Sequence, residues 1–92
     1  MSKKKRPVVV TTEFRGVFFG YLAEEKEGNA VLTECQNCLS WSSDVRGFVG
    51  LAVTGPSSGC RIGPAVEKMK LYKVTAILDC TKEAEEAWKQ KN

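Results

Sequence analysis

The sequence predicts a mainly β (α+β) fold, built as a small antiparallel sheet or open barrel with a long irregular loop and a short C-terminal helix. β-Branched and aromatic runs of strand length fill the first half of the chain and return after Lys68, while a glycine- and proline-rich segment separates the two groups. The last residues carry the charge order of a helix. At 92 residues, the chain has the length of a single domain.

The first two predicted strands lie in RPVVVTTE and GVFFGYLAEE. In the first, Val8 and Val10 point to one side and Val9 to the other. Both faces of the second are apolar, so this strand is either central in the sheet or meets a partner subunit. A polar turn over residues 25–29 follows, in which Gly28-Asn29 suits the positive φ of a hairpin.

The third predicted strand is AVLTECQNCLSW, with Val31, Cys35 and Leu39 on one face. Beyond it the period is lost over residues 42–67, which is far longer than the ~4–6 residues of a usual connection. Within this loop the spacing i, i+3, i+4 predicts a short helix containing Phe48, and Gly55-Pro56 ends it. We expect the rest of the loop to be irregular.

The C-terminal part predicts one long strand and one helix. In KMKLYKVTAILDC, alternate residues form an apolar face, which predicts a single long strand. In TKEAEEAWKQKN, Thr81 is placed as the N-cap, glutamates occupy the first turn and lysines the last. Trp88 lies on the apolar stripe, so we expect it to anchor the helix on the sheet.

The positive charge is concentrated at the N-terminus. Lys3, Lys4, Lys5 and Arg6 hold four of the 14 basic residues, so a net charge of +3 for the whole chain becomes −1 without them. We interpret residues 1–6 as a flexible basic tail and 7–92 as one globular domain. The tail could also make a weak contact with nucleic acid. No apolar run approaches the ~18–20 residues of a membrane span, so we expect a cytoplasmic protein with no membrane contact.

Four cysteines invite the hypothesis of a metal site, since Cys35 and Cys38 have the C-x-x-C spacing of zinc ligands. The pair lies inside a strand pattern, however, where residues i and i+3 point to opposite faces. The remaining cysteines, Cys60 and Cys80, are far apart in sequence. We therefore expect no metal and four reduced thiols in the core. With no histidine in the chain and no paired carboxylates, we expect neither an enzyme nor a cofactor.

The long loop carries the candidate site. Its TGPSSGCRIGPA stretch and its neighbours offer serine hydroxyls, two arginine forks that suit phosphate, and aromatic rings that can stack on a base. We predict a site for a small anionic ligand formed by Trp41, Ser43, Arg46, Phe48, Ser57, Ser58 and Arg61. The alternative is that the loop only covers the sheet, because glycine-rich loops without a phosphate-binding motif are weak signals.

The stretches VVVTTEFRGVFFGYL, LSWSSDVRGFVGLAVTGP, CRIGPAV and LYKVTAILDCTKEAEEAW resemble a family of small proteins of tailed phages and prophages that is left as a domain of unknown function. The resemblance covers roughly Val8 to Trp88. It implies a phage gene, a bacterial host cytoplasm and a compact β-rich protein, with no catalytic motif.

Three functional hypotheses remain open. The first is a homo-oligomeric counter-defence protein that sequesters a phosphorylated, nucleotide-type signal of the host, as small phage proteins of this class do. The second is a nucleic-acid-binding accessory protein that uses the basic tail. The third is a protein inhibitor that binds a host protein through exposed Phe14, Phe18 or Tyr21.

Overall fold

The structure, a computed structural model, describes residues 6–13, 16–41, 43–45 and 47–90, with only the backbone of Asp44. The prediction of a mainly β fold is confirmed. The elements are β1 (Pro7–Thr12), β2 (Val17–Lys26), β3 (Asn29–Ser40), a 3-10 turn (Ser43–Val45), α1 (Gly47–Val53), β4 (Arg61–Ile62), β5 (Val66–Leu71), β6 (Val74–Asp79) and α2 (Lys82–Gln90). No helix in the described ranges is long and apolar enough to cross a membrane.

The six strands form one open antiparallel sheet. Its order is β4-β3-β2-β1-β6, and β5 also pairs with β3, beyond the end of β4. β2 therefore lies between two strands, and its central position explains why both of its faces are apolar. The predicted tight connection between β2 and β3 is present, but the residues with positive φ are Glu27 (50°) and Gly28 (82°), and Asn29 already belongs to β3.

The prediction of one long strand over residues 68–80 is wrong. The chain turns at Tyr72-Lys73, where Lys73 has a φ of 55°. β5 then pairs with β3, whereas β6 pairs with β1 at the other edge of the sheet. Two hydrogen bonds hold this corner: Val74 N–H donates to the Gly28 carbonyl at 2.8 Å, and Glu13 N–H donates to the Lys73 carbonyl at 3.0 Å.

The predicted shared face of Val31 and Cys35 is also wrong, because β3 contains a bulge. Glu34 has a φ of 50°, and the register with β2 shifts by one residue there. A bulge inserts one extra residue into the alternation. As a result Leu32 and Cys35 contribute to the same core. Val31 is adjacent to Leu32 in the strand and therefore points to the other side.

Each face of the sheet buries its own hydrophobic core. The helix-side core includes Val9, Phe19, Leu51 and Trp88. The second core is buried by the sheet itself, since strands from both edges contribute to it. Its members are Val8, Val10, Leu32, Cys35 and Leu71, with Ile77 of β6 packed against them.

The helices are where the sequence predicts them. Thr81 caps α2, with its Oγ1 accepting a hydrogen bond from Ala84 N–H at 3.1 Å. Trp88 anchors the same helix: its ring stacks on Phe19 at 5.0 Å, and its Nε1 donates to the Leu51 carbonyl at 3.1 Å. Gly55, with a φ of 82°, follows α1 as expected. The loop is less irregular than predicted, because β4 and the first residues of β5 lie within 42–67.

Candidate functional site

An apolar groove of about 550 Å³ opens on the helix side of the sheet, at the end where β1 turns into β2. Its lining comes from three strands, from the residues just before β2 and just after β3, and from α1: Thr11, Thr12, Gly16, Val17, Trp41, Phe48, Thr75 and Ala76. The groove therefore joins parts of the sequence that are far apart in the chain.

Two aromatic side chains form its walls. Trp41 follows the last residue of β3, and Phe48 lies in the first turn of α1. Each is 38% exposed. Gly50 fixes the approach of α1 to the preceding 3-10 turn, because a Cβ at this position would collide with the Val45 carbonyl. This close contact places Phe48 at the rim of the groove.

Threonine hydroxyls supply the polar part of the groove. The Oγ1 atoms of Thr11 and Thr75 lie 2.7 Å apart and share a hydrogen bond. Thr12 Oγ1 accepts a hydrogen bond from Gly16 N–H at 3.2 Å, which fixes the turn between β1 and β2. A threonine hydroxyl that accepts one hydrogen bond still has a proton to donate. The groove can therefore present hydroxyl donors beside its two rings.

The structure brings together only some of the predicted site residues. Trp41 and Phe48 share the groove, whereas Ser57 and Ser58 line a separate pocket of about 330 Å³ beside α2. Arg61 is exposed on β4, opposite Ser40 and hence one residue from Trp41 along β3. Ser43 is exposed in the 3-10 turn. Arg46, the other predicted phosphate ligand, lies outside the described residues.

Sequence reasoning missed the groove residues that come from β1, β2 and β6 and from the position before β2: Thr11, Thr12, Gly16, Val17, Thr75 and Ala76. The paired threonines at the end of the first predicted strand were the available signal. Their meeting with Thr75 depends on the pairing of β1 with β6, and the sequence pattern did not reveal that β6 is a separate strand.

The cysteines lie in different cores. Cys35 belongs to the second core and Cys38 to the helix-side core, so the C-x-x-C pair points to opposite faces of the sheet. Burial raises the pKa of the Cys35 thiol to about 12 and that of Cys38 to about 11. Burial, reinforced by Glu85 and Asp79, raises the pKa of Cys80 to about 12. These thiols are protonated at neutral pH. Within the described ranges, no group of three or more histidine, cysteine, aspartate or glutamate side chains could hold a metal ion.

Two of the three aromatic residues of the protein-inhibitor hypothesis, Phe18 and Tyr21, are not exposed anchors. Tyr21 is 4% exposed, and its hydroxyl donates to Glu85 Oε2 at 2.6 Å. Burial, followed by the hydrogen bond and the charge of Glu85, raises the pKa of Tyr21. Phe18 is half-buried against the second core. Phe14 lies outside the described residues.

Comparison with known proteins places the chain in one family. A family model described as "Domain of unknown function (DUF6948)" matches residues 5–88. No curated protein and no solved structure matches the chain.

Proposed function

We propose that this chain, which belongs to the DUF6948 family, is a non-enzymatic binding protein that holds a planar, nucleotide-type ligand in the groove. One observation carries the proposal: Trp41 and Phe48, from different elements, are both half-exposed on the same apolar groove. Small-molecule sites are concave and mostly apolar, with a few fixed polar groups and volumes of roughly 300–1,000 Å³.

A nucleobase suits this lining. A flat ring can stack on an exposed indole or phenyl face, and such stacking contributes about 1–3 kcal/mol per base. Thr12, and whichever of Thr11 and Thr75 accepts their shared hydrogen bond, each keep a hydroxyl proton that could be donated to an oxygen or nitrogen of a ring edge. A purely apolar ligand would offer no acceptor to these protons.

Arginine would provide the contact with phosphate. Arg61 is exposed and lies on β4 beside the end of β3, from which Trp41 extends. Its planar fork matches phosphate geometry. The predicted contribution of Arg46 remains a hypothesis from the sequence. As part of the same proposal, the protein is encoded by a phage and acts in counter-defence by sequestering a nucleotide-type signal of the host.

Nucleotide binding tests the proposal directly. The purified chain is titrated with mononucleotides and cyclic dinucleotides of each base, followed by calorimetry and native mass spectrometry. Trp41→Ala and Phe48→Ala should each weaken binding about tenfold, which corresponds to roughly 1.4 kcal/mol. Tyr72→Ala is the matched control, because Tyr72 is a 60% exposed aromatic side chain outside the groove. Equal losses in all three variants, or no nucleotide bound by the wild type, would contradict the proposal.

The phosphate contact needs a separate comparison. Arg61→Ala should weaken the binding of a nucleotide and leave that of the matching nucleoside unchanged, since only the nucleotide carries phosphate. An equal loss for both ligands would show that Arg61 acts on the fold or on the base instead.

A further inference from the structure

β6 has an unpaired outer edge. In the described structure it pairs only with β1 and ends the sheet. Cys80 N–H donates to the Pro7 carbonyl, so the backbone of Cys80 and Leu78 points towards β1. By the alternation of an antiparallel ladder, the backbone groups of Ile77 and Asp79 point away from the sheet.

Both ends of this edge are closed. Val74 N–H is bonded to the Gly28 carbonyl, and Thr81 N–H is bonded to the Ala52 carbonyl. The open stretch is therefore short: it contains the apolar Ile77 and Leu78 and ends at Asp79, whose charge is paired with Arg6. By contrast, the opposite edge at β5 carries Glu67, Lys68 and Lys70, all exposed. Charged side chains of this kind protect an edge strand from pairing.

An exposed apolar stripe runs along α1. Val49 and Val53 are one turn apart and are 51% and 47% exposed. At 3.6 residues per turn each lies about 200° around the helix from Leu51. Since the Leu51 side chain is fully buried in the helix-side core, the stripe lies on the side of α1 that faces away from this core. α1 itself contacts β1 and β6, the last two strands of the sheet.

We propose that the edge of β6 and the stripe of α1 together bind a second copy of this chain in a two-fold dimer. The two β6 strands pair antiparallel, and the two sheets become one. The two α1 helices then lie side by side on the same face, so that the Val49 and Val53 stripes meet across the axis. An isologous interface of this kind requires a surface that is complementary to itself.

The spacing of the elements supports this arrangement. α1 lies over β1 and β6, and adjacent strands are about 4.8 Å apart. In the proposed dimer, the α1 helices of the two copies are separated by two strand spacings, or about 10 Å. Packed helices are found at this distance. A single dimer geometry therefore pairs the edge of β6 and also buries the stripe of α1.

The charges also fit one register. If Ile77 of each copy pairs with Asp79 of the other, Leu78 meets its own counterpart at the axis. No like charges then face each other. Asp79 enters the interface already paired, because its Oδ1 lies 2.6 Å from Arg6 Nε.

Sedimentation equilibrium over a range of protein concentrations tests the dimer, with no ligand required. The wild type should have twice the 10.1 kDa mass of the chain. Asp79→Pro removes an N–H that the sheet within one copy does not use, so it should give a monomer with an unchanged circular dichroism spectrum. Asp79→Ala is the control, because it also removes the Arg6 ion pair but keeps the N–H; it should remain a dimer.

A second pair of variants keeps the proposal testable if Asp79→Pro does not fold. Val53→Glu should raise the dimer dissociation constant at least tenfold, whereas Val66→Glu, at an exposed valine on the β5 edge, should leave it unchanged. A wild type that has the monomer mass at every concentration would overturn the proposal. This holds also if the edge of β6 is found to pair with a strand of another protein instead. Dimers that persist in both Asp79→Pro and Val53→Glu would also overturn it.

Discussion

Trp88 holds the helix-side core together through both its ring and its nitrogen. It is fully buried, it stacks on Phe19, and its Nε1 donates to the Leu51 carbonyl. Trp88→Ala should lower the free energy of unfolding by about 3–5 kcal/mol, because it leaves a large cavity. Trp88→Phe keeps most of the ring but loses the hydrogen bond, and should cost about 1–3 kcal/mol.

Urea denaturation measures both variants of Trp88. Tyr72→Ala serves as the surface control and should fall within about 0.5 kcal/mol of the wild type. If Trp88→Phe were as stable as the wild type, the bond to Leu51 would contribute nothing to the junction between α1 and α2.

The buried thiols predict a loss of stability in alkali. Burial raises the pKa of Cys35 from 9.0 to about 12 and is the main cause of the same rise at Cys80. A pKa that is higher in the folded state stabilises the fold below the unfolded value, and this contribution disappears as pH rises through the folded value. The melting temperature should therefore fall between pH 9 and about 12. Tyr21, whose pKa is also raised, adds to the fall.

Replacement of a thiol separates its contribution from that of Tyr21. Cys35→Ala should lower the melting temperature at neutral pH but reduce the further fall in alkali. Identical alkaline slopes for this variant and the wild type would show that the Cys35 thiol does not contribute to the pH dependence.

Among the elements, α2 depends on its cap. Thr81 Oγ1 accepts from Ala84 N–H and donates to the Val53 carbonyl, so one hydroxyl joins the start of α2 to the end of α1. Thr81→Ala should cost about 1 kcal/mol of stability, the usual value of an N-cap. Thr81→Ser retains the hydroxyl and should stay closer to the wild type. Chemical denaturation of the two variants compares them, and equal losses would assign the effect to the methyl group.

Some of the elements could be predicted from the sequence, and others could not. β1, β2, the hairpin and both helices follow local rules of alternation, turn chemistry and capping, and each was predicted near its observed position. The corner at Tyr72-Lys73 and the bulge at Glu34 contain no glycine or proline, although Lys73 and Glu34 both adopt positive φ. Nothing local distinguishes such residues from continuing strand, so the alternation was extended through both.

At the scale of the whole molecule, the candidate site also contains residues that the sequence predicts and residues that it does not. Trp41 and Phe48 were predicted because aromatic side chains beside a long loop are visible in the sequence. The threonines of the groove were not, because Thr11 and Thr75 meet only through the pairing of distant strands. The serines of the loop show the converse, since Ser57 and Ser58 are close to the groove in sequence but line a different pocket.

The charge distribution gives a prediction for nucleic acid. Arg6 is held by Asp79, and its carbonyl accepts from Leu22 N–H at 2.9 Å, while Lys3, Lys4 and Lys5 lie outside the described residues. Removal of residues 1–5 should weaken binding to a single-stranded oligonucleotide and leave nucleotide binding in the groove unchanged. The log–log salt slope should flatten by about 0.7 for each phosphate that the shortened protein no longer neutralises. Fluorescence anisotropy over a salt series measures the salt dependence of oligonucleotide binding. An unchanged slope would show that residues 1–5 do not contact phosphate.

The pairing of β1 with β6 has a consequence for how the protein is made. The first strand of the domain to leave the ribosome pairs with the last, so β1 has one unpaired edge until nearly all of the domain has been synthesised. Contacts between distant parts of a chain also slow folding. β6 packs against both cores and α2 belongs to the helix-side core, so neither core can be complete during translation before β6 has emerged. We therefore expect stable structure to form late, after synthesis of the domain rather than strand by strand.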